Sequence, residues 1–425
     1  MPTLKPFRAM RYNPEIAGDY SELVAPPYDI IYDEWRERLY DRNPYNIIRL
    51  IKAKDEPGDG ENPNKYKRAS DYIESWIEKG VLRYEDKPSI YVRSDTYTLG
   101  NETKTRYGFI ALLRIEQFGN NVHPHERTLS GPKVDRLNLV KATRTNLSQI
   151  FSIFKDPGDT VYRLLLNKTT ELPPEIEFED EQGIIRRMWV VNDEDFIAGI
   201  KGRLRDRDII IADGHHRYET ALAYKELMEK NRTSDDEPFD YVSMYFSSAD
   251  APGMTILPTH RKVLGLESFD EDTFFRKLDD RYKIEPVGKI SVDDLLNRIH
   301  IDSEKNNIFG FCTASGLRIA RIKNPEVPKQ LDVDILHNDI IEKRLGITRE
   351  DIAAGRYLHF SKSPEHCIDD VSAGKDQMGI FLNAIRSEEL FRRVLDGDRM
   401  PQKSTYFYPK TLSGLAMYKI DRRSF

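Results

Sequence analysis

Cysteine is nearly missing from this chain. Its 425 residues include two, Cys312 and Cys367, far apart and outside any C-x-x-C pair. That argues against a disulfide framework and against a zinc–thiolate site, and it makes a reducing cytoplasm the simplest compartment. Long apolar runs are missing too. The opening MPTLKPFRAM has no signal-peptide core, and no run elsewhere reaches the length of a membrane span, so no membrane partner is expected. There is no basic excess. The formal net charge is -6, which argues against nucleic acid as a partner. Neither G-x-x-x-x-G-K-[ST] nor G-x-G-x-x-G follows a strand pattern, so the ordinary P-loop and Rossmann readings fail. No internal repeat or low-complexity segment stands out.

What remains is a well-charged globular composition, 39% hydrophobic and 32% charged. The length exceeds one ordinary core and implies two or three domains. NPNKYKRASDYIESWIEKGVL predicts a helix with Tyr72, Ile73, Trp76 and Ile77 on one face and Gly80 as its stop. SIYVRSDTYTL and TRYGFIALLRIEQF flank a hairpin turn at GNETK. A loop is expected over GNNVHPHERTLSGPK, a helix over DRLNLVKATRTNL and a strand over QIFSIFKD. IEFEDEQGIIRRMWVV reads as a second hairpin turning near Gly183, and NDEDFIAGIKGRL as a helix capped by Asn192 or Asp193. Past residue 250, strands and helices alternate again, with a hairpin near Gly316. Mixed order without strict βαβ alternation predicts an α+β, or mixed α/β, fold.

The stretch DIIIADGHHRYETALAYKELMEK carries the densest chemistry. DIIIA is a buried strand by its unbroken apolar run. Ala221, Leu222, Tyr224, Leu227 and Met228 form a helical stripe after the turn. Gly214 to Arg217 therefore sit at a helix N-terminus, where unpaired backbone N–H groups and a positive dipole favour anions. Gly214 would let a ligand approach the backbone, and Arg217 offers a planar fork to phosphate oxygens. His215 and His216 are expected to stay neutral there. Asp213 beside a phosphate calls for a bridging Mg²⁺. The plainer reading is that Asp213 caps the helix and the histidines only pack.

A second polar cluster, NNVHPHERT, holds His123, His125, Glu126 and Arg127. Four of the nine histidines fall in these two motifs, which points to a shared site. Glu126 is a general-base candidate; a surface ion pair with Arg127 is the alternative. MPQKSTYFYPK contributes Lys403, Ser404, Thr405 and Lys410. His260 and Arg261 of LPTHR, with Arg144 and Asn146 of RTNLSQI, are further candidates for the cleft. APPYD invites a cis proline and contains Asp29.

HPHERT and ADGHHR, with APPYD, LPTHR and MPQKSTYFYPK, resemble free L-serine kinases on the ParB/sulfiredoxin-like fold, in a larger branch once known only as a domain of unknown function. The resemblance spans nearly the whole chain. It implies an N-terminal α/β region over 1–118, a ParB/sulfiredoxin-like catalytic core over 119–250 and a C-terminal α/β region over 251–425. It also implies transfer of the terminal phosphate of ATP, with ADP as an alternative donor, to free serine. Glu126, Asp213 and His216 would then be catalytic, with Asp213 holding Mg²⁺. Gly214, His215, His216, Arg217, Lys403 and Thr405 would bind nucleotide, and His123, His125 and Arg127 the acceptor. The gap between Glu126 and Asp213 is longer than in the compact kinases, so their serine-binding residues do not carry over. Position 215 is histidine where sulfiredoxins have a catalytic cysteine, which excludes that thiol chemistry. Two rivals stay open on the residues alone: a nucleotide-binding switch, and a metal-dependent phosphohydrolase using His123, His125, His215 and His216.

Overall fold

The computed structural model describes residues 1–126, 131–301, 303, 305–325, 330–401 and 403–425. The fold is mixed α/β. It comprises two compact units, one of residues Met1–Thr255 with Pro409–Phe425, the other Ile256–Tyr408.

The first unit is built on a nine-stranded sheet of β1 (Leu4–Lys5), β2 (Ile90–Leu99), β3 (Glu102–Arg114), β4 (Val122–Pro124), β5 (Ile150–Phe154), β6 (Ile176–Glu179), β7 (Ile185–Val191), β8 (Ile209–Asp213) and β9 (Tyr241–Ser248). The order is β4-β8-β5-β9-β3-β2-β7-β6, with β1 on β3. β4 runs parallel to β8, and β5 parallel to β9. The β2–β3 and β6–β7 hairpins form where the sequence runs and their turns predict them. Gly183 takes a positive φ of 73° at the second turn, where a side chain would be strained.

One face of the sheet carries Ile90, Val92, Phe109, Ala111, Ile209, Ile211, Met244 and Phe246 into a core. Helices α3 (Thr160–Glu171), α4 (Glu194–Leu204) and α5 (His215–Met228) supply Val161, Leu165, Phe196, Ile200, Leu204 and Tyr218 to it. β9 is buried along its whole length, with Val242, Met244 and Phe246 in this core and Ser243, Tyr245 and Ser247 at the alternate positions. Helix α1 (Lys65–Glu78) begins at Asn64, whose side chain accepts from the backbone N–H of Tyr66 and Lys67. α2 (Gly131–Thr143) follows the HPHERT segment, and Asp193 caps α4 through Phe196 N–H.

Several expectations need correction. α3 was not read from the sequence; buried Asp156 caps it by accepting from the backbone N–H of Val161 and Tyr162. Leu227, placed on the apolar stripe, is 42% exposed; Ala221 and Tyr224 of that stripe are buried, together with His215, Tyr218 and Thr220. The peptides before Pro26 and Pro27 are trans; among the described residues the cis bond is Asn62–Pro63.

The second unit has a six-stranded sheet of β10 (His260–Val263), β11 (Tyr282–Pro286), β12 (Ile308–Thr313), β13 (Gly316–Ile322), β14 (Leu358–Ser361) and β15 (Met378–Phe381), ordered β11-β13-β12-β15-β10-β14. Gly316, with φ 120°, turns the β12–β13 hairpin. A helix at Asp332–Ile335 continues into a π-helical stretch, Leu336–Arg344.

Candidate functional site

The site begins with a break in register. Ile211 pairs with Ser152, but Asp213, not Ala212, pairs with Phe151. This bulge at Ala212 shifts the alternation by one residue. Asp213 therefore lies on the sheet face of Phe151 and Tyr245, away from the core face of Ile211. The chain then turns at Gly214, with φ 90°, and enters α5 at His215.

Asp213 is clamped between two cations. Its Oδ2 accepts from Arg217 at 2.7 Å and its Oδ1 from the Lys410 ammonium at 2.8 Å. Arg217 also donates to the Gln149 carbonyl. Burial alone would raise the Asp213 carboxyl, but Lys410 and Arg217 hold it well below the usual carboxylate range. A methyl group on Gly214 would stand 2.7 Å from Arg217 Nε. The room glycine leaves here is filled by the Arg217 guanidinium.

The HPHE segment arrives beside this turn because β4 pairs in parallel with β8, Pro124 opposite Ile211. The next residue, His125, donates from Nδ1 to the Ile211 carbonyl. Its backbone N–H donates to His215 Nε2 at 3.3 Å, and the two rings lie 4.7 Å apart. His215 Nε2 is thus an acceptor and the ring is neutral. Burial, with the neighbouring His125, pushes its pKa down to about 3. His125 Nε2 faces Glu126 Oε1 at 3.3 Å. Glu126 keeps 16% of its side chain exposed while His125 is buried. His216 is half-buried on the first turn of α5, where its carbonyl accepts from the Thr220 hydroxyl.

Not every expected residue joins this cluster. His123 pairs with Asp208 at 2.9 Å, at the other end of β8 from Asp213, so it does not meet the turn. His125, expected to touch substrate, is 1% exposed and supports its neighbours instead. Arg127 lies outside the described residues. Lys403 and Thr405 belong to the second unit, whereas Lys410 of the same segment reaches Asp213. The sequence shows the lysine but not its partner, because no local pattern links residues 197 apart. Arg261 of LPTHR is also in the second unit, donating to Thr259 O and to His337 Nε2. Beside Arg217, a cavity of about 50 Å³ is lined by Tyr28, Arg136, Asn146 and Ser148 among others, which brings APPYD and RTNLSQI to the site.

The donor set does not fit a protein-held metal. Both Asp213 oxygens are engaged by cations, so the expected Mg²⁺ ligand is taken. Among the described residues no group of three or more histidine, cysteine, aspartate or glutamate side chains is arranged to hold an ion. The four-histidine set of the hydrolase reading does not converge either, since His123 is held apart by Asp208.

Residues 4–335 match the family described as a protein of unknown function, DUF1015. The chain belongs to the DUF1015 family. Lys410 lies beyond the matched part of this family member. No curated protein matches the chain in sequence. Similar solved structures include a conserved hypothetical protein from Pyrococcus furiosus, 14% identical, with TM-score 0.36, covering 70% of this chain and 91% of that one. A free serine kinase in complex with AMP is 13% identical, with TM-score 0.36, covering 70% and 89%. A mutant of a free serine kinase in complex with ADP is 12% identical, with the same TM-score and coverage. At this identity and TM-score the likeness does not extend to function. Among the described residues of this DUF1015 chain, no helix is long and apolar enough to cross a membrane.

Proposed function

We propose that this protein is a small-molecule kinase that transfers the terminal phosphate of ATP to the hydroxyl of free L-serine, giving O-phospho-L-serine. The observation that carries the reading is the meeting of two motifs 87 positions apart, Glu126 and Asp213–Arg217, through His125. It places a carboxylate beside a helix N-terminus furnished with two cations, the pairing that phosphoryl transfer to a hydroxyl requires. The motifs HPHERT and ADGHHR resemble those of free serine kinases and support the same assignment.

Arg217 and Lys410 bind phosphate oxygens, with the first N–H groups of α5 directed along the same axis. Glu126 takes the proton from the acceptor hydroxyl, and His125 holds that carboxylate in place. Neutral His215 adds no charge and fixes the HPHE backbone against the turn. Bound ATP, or ADP as an alternative donor, supplies the phosphoryl group. Asp213 orients the two cations. Mg²⁺ would accompany the nucleotide without a ligand assigned from this chain.

The test is incubation of the purified protein with ATP or ADP and each hydroxyl amino acid, with and without Mg²⁺, followed by product detection. Phosphoserine formed in proportion to enzyme is expected. Nucleotide hydrolysis that serine does not change would replace the kinase reading with a nucleotide-dependent switch.

A further inference from the structure

We propose that Lys410 makes this site discriminate nucleotides by their phosphate charge, its ammonium passing from Asp213 to a phosphate beyond the α-phosphate. The proposal rests on the kinase reading for its ligand class but not for turnover. Two cations share one carboxylate here: Lys410 on Oδ1, Arg217 on Oδ2. Both are largely out of water, with 11% and 13% of their side chains exposed. Desolvating a second cation against a carboxylate already engaged by the first is costly, and an incoming anion offsets that cost. Asp213 thus acts as a stand-in anion that keeps both donors extended toward one point.

The backbone around Lys410 is positioned for this. Beyond Pro409 the chain rejoins the first unit and is pinned where Arg217 is also held. Ser413 N–H donates to Ala25 O at 2.8 Å, Gly414 N–H to Leu147 O at 3.2 Å, and the Gln149 side chain donates to Ala416 O. The Gln149 carbonyl in turn accepts from Arg217. Lys410 and Arg217 are therefore referenced to one short segment, residues 147–149. Arg217, wedged against Gly214 and tied to Gln149, has little freedom to move. Lys410, on a flexible four-carbon stem, is the cation able to transfer.

The experiment is calorimetric titration of AMP, ADP and ATP into the full-length protein, its Lys410→Gln and Lys410→Arg variants, and the double variant Lys410→Gln/Asp213→Asn. Lys410→Gln is expected to weaken ADP and ATP about ten- to a hundredfold while AMP changes less than about threefold. Lys410→Arg should recover most of the loss. The double variant removes the carboxylate that Lys410→Gln leaves with Arg217 as its remaining cation and guards against misfolding; it should still lack the AMP-to-ATP gradient. Equal weakening of all three nucleotides, or an unchanged gradient in any folded Gln variant, overturns the proposal. So does failure of the wild type to bind nucleotide. A wild type that binds ATP with the expected gradient but forms no phosphoserine would overturn the kinase reading and leave the Lys410 assignment standing.

Discussion

Glu126 and His215 have separable jobs, and each can be isolated by a near-isosteric change. Glu126→Gln keeps the shape and loses the base. Turnover should fall about 10²–10⁴-fold, in kcat and kcat/KM together, with nucleotide affinity nearly unchanged in a parallel titration. A Gln variant with wild-type turnover would remove the base assignment. His215 predicts a stability effect with a definite sign. Its folded pKa is lowered to about 3 from the ordinary 6.5. Between those values the unfolded chain binds the extra proton, so stability is fully present above pH 6.5 and is lost as pH falls through the window. Going from pH 7 to pH 5 should cost roughly 2 kcal/mol through this residue. His215→Asn should flatten that part of the pH dependence of thermal unfolding. His260 and His337 are lowered in the same direction, so the wild-type-minus-variant difference is the quantity to compare.

At the scale of elements, the strand-to-helix joint of β8 and α5 decides the geometry. The bulge at Ala212 moves Asp213 to the face where Lys410 arrives. The positive φ at Gly214 lets the helix begin at once, and the missing side chain admits the Arg217 guanidinium. Gly214→Ala meets both constraints. The left-handed backbone should cost about 1–2 kcal/mol of stability. The displaced Arg217 should weaken nucleotide binding about tenfold, one charge-assisted contact's worth. Thermal unfolding and calorimetry on the same preparation separate the two effects. An Ala variant with wild-type affinity would show that Arg217 does not need its place against Gly214.

For the first unit as a whole, a buried charge cluster ties the sheet together. Asp95, fully buried, accepts from Arg93 at 3.0 Å and Arg106 at 2.8 Å, and Arg186 stands 3.0 Å away. Arg186 also binds Asp180. The guanidinium groups of Arg93 and Arg106 lie over the rings of Tyr245 and Phe151. Side chains from β2, β3, β5, β7 and β9 therefore meet around one carboxylate. Asp95→Asn leaves three buried cations undercompensated and should destabilise the protein by about 3–5 kcal/mol. A denaturant titration reads the loss. Nucleotide affinity of the folded variant should change less than about threefold, since the carboxylate of Asp213 bonds to Arg217 and Lys410 and not to the arginines around Asp95. A large affinity change would mean that the sheet and the site are coupled.

The sequence by itself determined the local structure and the chemical inventory. Strand-forming runs on either side of a turn marked β2, β3, β6, β7 and the β12–β13 hairpin; helical periodicity marked α1, α4 and α5; glycine marked the turns at 183, 214 and 316. Clustering of polar residues marked HPHE and DGHHR. Tertiary structure alone decided which of these residues meet. Val122–Pro124, three residues ending in proline, carries no strand signal, and it pairs only because it lies at the sheet edge, where a missing donor is tolerated. That pairing separates His123 from His125, and it is what brings Glu126 to the turn. The bulge at Ala212 and the arrival of Lys410 were equally illegible. Periodicity is written by near neighbours, one turn or one strand at a time. The contacts of Asp213 with Lys410 and of His125 with Ile211 and His215 join segments 86 to 197 residues apart, and depend on the packing of everything between them.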